Sequence, residues 1–255
     1  MSDAVLAQRD ARGILATPAA RIGLIIPSSN RLSEPQFRHF APPALGIHVT
    51  RLQMTGKWNR PLSALGEDLD RAASALADAR VDLIVFHCTG TAMEEGPEQE
   101  ARAIARISDG TGIAAFSTAG ALVEALRAVG IARPVLVSPY VQATNDHEKD
   151  YLARLGFAVV NDVALGLKGG DEYLTVPPER WIEIARAAMR PEADGLLLSC
   201  TNTTQIETIA PLERELGIPV VNSNQAVLWA AMRRLGTRLA GARLAPELGR
   251  LVETA

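Results

Sequence analysis

The chain holds two cysteines, Cys88 and Cys200, and their surroundings match. Val81–Thr91 reads VDLIVFHCTGT and Ala193–Thr203 reads ADGLLLSCTNT; each has Asp, five residues, Cys-Thr, one residue and Thr. A thiol is a good nucleophile, and with a free pKa of about 8.5 that its surroundings can move it also works as an acid or base. Isomerising or racemising a carbon centre needs groups on both of its faces, and two thiols facing each other would supply them. A cysteine that ends a buried strand is often only a small apolar residue. The only two in the chain, at matching places, point to chemistry instead. Two cysteines in 255 residues do not make a disulfide framework.

The match extends beyond the cysteines. Arg21–Asn30 (RIGLIIPSSN) and Arg133–Gln142 (RPVLVSPYVQ) are apolar runs that reach a proline, and Pro27 to Cys88 and Pro139 to Cys200 each span 61 residues. Leu45-Gly46-Ile47 resembles Leu155-Gly156-Phe157, and Gly112–Thr118 resembles Gly217–Ser223. The chain therefore reads as two copies of one unit. In the first copy, Ile22–Ile26, Ile47–Met54, Leu83–Phe86 and Ile113–Phe116 have the length and composition of strands. Between them, Leu62 to Leu76, Ala101 to Ile107 and Ala121 to Val129 carry helical spacing, with Thr118 as the expected N-cap of the last. The second copy repeats this, with helices expected near Gln142–Leu155, Glu179–Met189, Thr204–Leu216 and Gln225–Leu235.

Strands alternating with helices imply parallel sheets covered on both faces. The expected architecture is an α/β protein of two pseudo-symmetric lobes, with the active site in the cleft between them. Lobe 1 takes residues 21–117 and 222–255, lobe 2 takes 118–221, and residues 1–20 form an N-terminal extension.

Sites in such sheets lie beyond the C-terminal ends of strands. That rule selects Pro27–Asn30, His87–Thr91, Ser138–Tyr140 and Ser199–Thr203. A pseudo-twofold axis would bring Cys88 and Cys200 to opposite walls of one cleft. Thr89 and Gly90, with Thr201 and Asn202, offer hydroxyls, an amide and backbone N–H groups that suit a carboxylate or a thiolate. Ser28 and Asn30 do the same after the first strand, although Ser28–Asn30 also fits a plain helix cap. Tyr140, following Pro139, matches Ser28 and is placed at the cleft. The histidines His39, His48, His87 and His147 show no metal-ligand spacing, so no metal is expected. His87 adjoins Cys88, but neighbours along a strand point to opposite faces. No glycine-rich nucleotide motif occurs, and no cofactor is expected.

Bulk properties narrow the partners. With 47% hydrophobic residues, 22% charged and a net charge of -3, the composition is globular and gives no reason to expect nucleic acid. No apolar run approaches the roughly 20 residues of a membrane span. The N-terminus shows no secretory pattern, so a cytoplasmic protein with reduced thiols is expected.

These residues resemble the aspartate/glutamate racemase superfamily and, within it, the maleate cis–trans isomerase and arylmalonate decarboxylase branch. The resemblance covers Arg21 to Leu235 and rests on RIGLIIPSSN, the loop at Cys88, STAGALVEALRAVG (Ser117–Gly130), VLVSPY (Val135–Tyr140) and LLLSCTN (Leu196–Asn202). It implies a cofactor-independent enzyme that forms a homodimer or higher oligomer. A maleate isomerase-like role makes Cys88 the nucleophile that gives a succinyl-type adduct and Cys200 the proton donor and acceptor. Asn30 and Tyr140 then bind the carboxylates of a small dicarboxylate. The resemblance also implies an asparagine in the loop after the second lobe's second strand, where GLKGGDEYLTVP (Gly166–Pro177) has none. Three further activities fit the superfamily: an amino-acid or hydantoin-type racemase, an arylmalonate decarboxylase-like enzyme and an ectoine-utilisation relative. A ligand-binding protein without catalysis is the alternative from another class.

Overall fold

The computed structural model describes residues 17–254. Of the expected N-terminal extension, residues 1–16 lie outside the described residues. The remainder already joins the fold, with Ala19 and Ala20 N–H both donating to Ala44 O.

The first half runs β1 (Ala20–Pro27), α1 (Ser33–Phe40), β2 (Leu45–Leu52), α2 (Gly66–Asp78), β3 (Leu83–Phe86), α3 (Thr89–Glu94), α4 (Pro97–Thr111) and β4 (Ala115–Ser117). The second runs α5 (Thr118–Ala128), β5 (Pro134–Ser138), α6 (Gln142–Arg154), β6 (Asn161–Ala164), α7 (Pro178–Ala188), β7 (Gly195–Leu198), α8 (Ile209–Leu216), β8 (Val220–Asn222) and α9 (Ser223–Leu235). The strands form two parallel four-stranded sheets of order β2-β1-β3-β4 and β6-β5-β7-β8. The duplication holds at the level of register. Ile22 pairs with Leu83, and the residues 112 positions further on, Pro134 and Gly195, pair in the same way.

The central strands β3, β5 and β7 are buried throughout and β1 at every residue but Arg21, as a parallel sheet covered on both faces requires. Trp181, Trp229, Tyr151, Phe37 and Phe86 are the largest fully buried side chains. Close packing of helix on sheet relies on Gly23: a Cβ there would stand 2.9 Å from both δ-carbons of Leu76 on α2. Within the second half α5 packs on α9, and α9 reaches across to touch α1 of the first.

Three local expectations are corrected. Thr118 is the first residue of α5, and Ser117 is its N-cap, accepting from Gly120 N–H at 2.8 Å. The side chain of Thr118 turns to His87 instead, at 2.9 Å. The helical pattern from Leu62 begins as a 3-10 turn, Leu62–Leu65, before α2 starts at Gly66. The second strand ends at Leu52 rather than Met54, where pairing with β1 stops at Pro27.

Candidate active site

Cys88 follows β3 and is the N-cap of α3; Cys200 follows β7. Both are free, Cys88 half-buried and Cys200 buried. The structure joins their loops through one hydroxyl. Ser223 Oγ, on the first residue of α9, accepts from Thr89 Oγ1 at 2.9 Å and from Cys200 N–H at 3.0 Å. Thr89 and Cys200 thus meet on the same atom, although 112 residues separate the two cysteines.

The backbone at the two thiols differs. Cys88 is extended (φ -151°), whereas Cys200 has φ 142°, a region that side-chain-bearing residues rarely adopt. In that conformation Asn202 N–H reaches the Cys200 sulfur at 3.3 Å. The Cys88 sulfur contacts Thr91 Oγ1 at 3.4 Å.

Lobe 1 also grips the loop beyond Cys200. Asn30 Nδ2 donates to Ser33 Oγ at 2.9 Å and to Thr201 Oγ1 at 3.1 Å, while Asn30 Oδ1 accepts from Leu32 and Ser33 N–H. Asn202 Oδ1 accepts from Arg31 N–H at 2.9 Å, and Ser33 Oγ donates to Thr201 O at 2.9 Å. Asn30, Thr201 and Asn202 are therefore brought together, and their polar groups serve one another. Ser28 is exposed, and its bonds run to β2: its N–H donates to Leu52 O and its carbonyl accepts from Arg51.

Tyr140 is buried, and its ring lies against the Cys88 loop: a Cβ at Gly90 would stand 3.8 Å from Tyr140 Cζ. Hydrogen bonding from Tyr140 favours the Cys200 thiolate. Burial nevertheless pushes both thiols up, Cys200 to about 12, and holds the Tyr140 phenol well above its ordinary value. In this closed site the sulfurs and the phenol are protonated at neutral pH.

His87 is not part of the thiol pair. Its side chain is fully buried, with Nε2 at 2.9 Å from Asn224 Oδ1 and Nδ1 at 2.9 Å from Thr118 Oγ1. Asn224 Nδ2 donates to Gln36 and Thr201, so its oxygen faces the ring, and His87 is the neutral Nε2–H tautomer. Burial lowers its pKa to about 3.

Three further residues near the thiols are not among the expected site residues. Ser223 is one; its signal is its place 105 positions after Thr118, the matching helix start of the other copy. Tyr173 is another. It lies in the segment that lacks the expected asparagine, and packs edge-on to Tyr140 with ring centroids 5.8 Å apart. Charge on Cys200 or Cys88 would be felt at its phenol. An ion pair from Arg31 to Asp171 ties this segment to lobe 1. The third is Glu148 on α6, which is fully buried and accepts from Ser199 Oγ at 2.8 Å.

Among the described residues, no group of three His, Cys, Asp or Glu side chains is placed to hold a metal ion. No helix among them is long and apolar enough to cross a membrane. A surface depression of about 650 Å³, lined by Arg51, Trp58, Arg60, Asp68 and Arg71, includes none of the thiol-loop residues. Arg60 and Arg71 both pair with Asp68 there, so their charges are already compensated in part.

Two parallel sheets of one strand order, each with a cysteine two residues beyond a central strand, define a duplicated α/β enzyme. The chain belongs to the arylmalonate decarboxylase family, whose sequence model matches residues 18–249. It is 31% identical over 244 residues to the maleate isomerase of Nocardia farcinica, covering 91% of this chain and 95% of that protein. It is 27% identical to the arylmalonate decarboxylase of Bordetella bronchiseptica, covering 87% and 98%. The crystal structure of the Pseudomonas putida S16 maleate isomerase with maleate, a cysteine-to-alanine variant, superposes with a TM-score of 0.83 at 25% identity, covering 92% of this chain and 98% of that one. A cysteine-to-serine variant of the Nocardia farcinica enzyme, holding a covalent succinylcysteine intermediate, gives 0.83 at 29% identity, covering 92% and 99%. The resemblance read from the sequence motifs and the fold expected from the duplication both hold.

Proposed function

We propose that the protein is a cofactor-independent cis–trans isomerase of a small dicarboxylate of the maleate type. The observation that carries this reading is the junction at Ser223, which joins the loops of two free cysteines at matching strand ends. The covalent succinylcysteine held by the Nocardia farcinica relative supports it.

In this reading Cys88 reacts as the thiolate. It is the more accessible sulfur, and hydrogen bonding at Thr91 favours its ionised form. Its sulfur adds to one alkene carbon while the Cys200 thiol delivers its proton to the other. A C–S and a C–H bond form as the double bond becomes single. Rotation about that bond brings the trans arrangement. The Cys200 thiolate then removes a proton, the C–S bond breaks, and its electrons leave on sulfur as the double bond returns. Tyr140 and Tyr173, as neutral phenols, donate hydrogen bonds to the carboxylates, each worth about 1.5–3 kcal/mol to a charged group. Asn30 and the loop Thr201-Asn202 shape the floor of the site, and Thr89 and Gly90 shape the wall at Cys88.

Cys200→Ser incubated with maleate tests this assignment. A substrate-sized mass increase is expected on the peptide containing Cys88. An adduct on Cys200 in Cys88→Ser would reverse the roles. A two-base racemase would use the same pair differently, one sulfur as a thiolate that removes the α proton and the other as a thiol that returns one on the opposite face. No adduct in either variant, with solvent deuterium appearing at a carbon α to a carboxylate, would select that activity.

A further inference from the structure

Glu148 is a carboxyl with no ordinary reason to be where it is. It is fully buried on α6, and α6 packs on α3, the helix that begins at Cys88. One oxygen accepts from Ser199, the residue before Cys200; the other, Oε2, has no partner among the described residues. No cation faces it. Lys149, the next residue, pairs with Asp146 and Asp162 instead. Ser199 at the end of β7 touches it, and a charge on it would be felt at Cys200 and Cys88 beyond the ends of β7 and β3, at Tyr140 after β5 and at Tyr173 before α7. None carries positive charge. An unpaired carboxylate in such a place costs far more than a neutral carboxyl.

The duplication explains the neutral form. The residue 112 positions earlier is Gln36, on α1 of the first lobe. Its buried amide donates to Thr203 O at 2.8 Å and accepts from Asn224. A protonated carboxyl has nearly the shape and the donor–acceptor set of that amide.

We propose that Glu148 is a positioning residue of the thiol site: as a neutral carboxyl it holds the Cys200 loop through Ser199 and leaves the site's one negative charge to a sulfur. This rests on the two-thiol reading of the site. Ionised, Glu148 would raise Cys88, Cys200 and both tyrosines together. Its burial moves its own ionisation up to about pH 8. Above that pH the carboxylate opposes formation of the Cys88 thiolate.

The test reads the thiol and not turnover, so it stands apart from the identity of the substrate. Full-length protein is alkylated with iodoacetamide from pH 6 to 11, and modification of Cys88 is followed by peptide mass. Glu148→Gln should lower the apparent pKa of the reaction and speed alkylation near pH 9 by about tenfold, as loss of a nearby like charge predicts. Ser199→Ala keeps the carboxyl but removes the hydrogen bond that favours its ionised form, so Glu148 stays neutral to higher pH. Its Cys88 should react faster than the parent's between pH 8 and 9 and converge with it above. Profiles that superimpose on the parent's in both variants overturn the proposal. So does slower alkylation in Glu148→Gln, which would make the carboxylate a base for the thiol. If Glu148→Gln does not fold, Ser199→Ala alone decides.

Discussion

At the scale of single residues, the two thiols are chemically alike and conformationally unlike. Cys88 sits in ordinary extended backbone, while Cys200 is held at φ 142°, where a Cβ is strained. Such positions cost on the order of 1–3 kcal/mol and persist only where the surroundings enforce them. Here Ser223 binds the Cys200 N–H, and the Asn202 N–H reaches the sulfur. The strain is thus part of how the second thiol is aimed. Glycine pays no such penalty, although it costs more chain entropy on folding than alanine. Cys200→Gly should therefore be more stable than Cys200→Ala by about 1 kcal/mol in urea denaturation. A glycine variant no more stable than the alanine variant would show that the backbone at this position is relaxed.

At the scale of elements, the start of α9 is the bolt of the site. Ser223 accepts two buried donors, one from each thiol loop. Ser223→Ala leaves both without a partner, and one buried unsatisfied group costs about 1–3 kcal/mol. With two such donors the variant should lose about 2–6 kcal/mol of stability and also alkylate Cys88 and Cys200 with altered rates, because the loops part. Unchanged stability and unchanged thiol reactivity would remove Ser223 from the site. The bolt was hidden from the sequence for a physical reason. Cys88, Cys200 and the strand–loop pattern are local, and the repeat makes them visible. The partners of Ser223 lie far away along the chain, and a serine at a helix start reads only as a cap. The cap of α9 is in fact Asn222, as Ser117 is the cap of α5. That frees Ser223 and Thr118, one residue on in each copy, to bind the loops and His87. The helices α1 and α3 were missed for a different reason. Each has at most eight residues and no side-chain N-cap bond, so neither shows enough period to be recognised. Tyr173 was passed over because its segment was read for the asparagine it lacks, while its contact with Tyr140 appears only in the fold.

At the scale of the whole molecule, the duplication places two buried titratable groups that hold opposite protonation habits. His87 precedes Cys88, and Ser199 precedes Cys200; His87 is itself the buried group in one lobe, and Glu148 is the buried partner of Ser199 in the other. His87 in the folded protein refuses a proton until about pH 3, whereas the unfolded chain takes one below about 6.5. Glu148 keeps its proton up to about pH 8, whereas the unfolded chain loses it above about 4.5. Stability rises with pH wherever the unfolded chain binds more protons. Of this pair, His87 is the one that makes stability rise with pH between pH 3 and 4.5. Between 4.5 and 6.5, the unfolded chain holds the histidine proton and the folded one holds the glutamate proton, so the two effects cancel. From 6.5 to 8, Glu148 is the one of the pair that makes stability fall. Each lone group contributes a slope of at most about 1.4 kcal/mol per pH unit. His87→Gln should therefore tilt the stretch from pH 4.5 to 6.5 so that stability, relative to the parent, falls as pH rises. Glu148→Gln should tilt it the opposite way, and the double variant should be flat relative to the parent. Urea midpoints at four pH values across that stretch measure all three. Single variants whose difference from the parent stays constant with pH would mean that neither group changes its protonation on folding, and that the buried site is wetter than its packing requires.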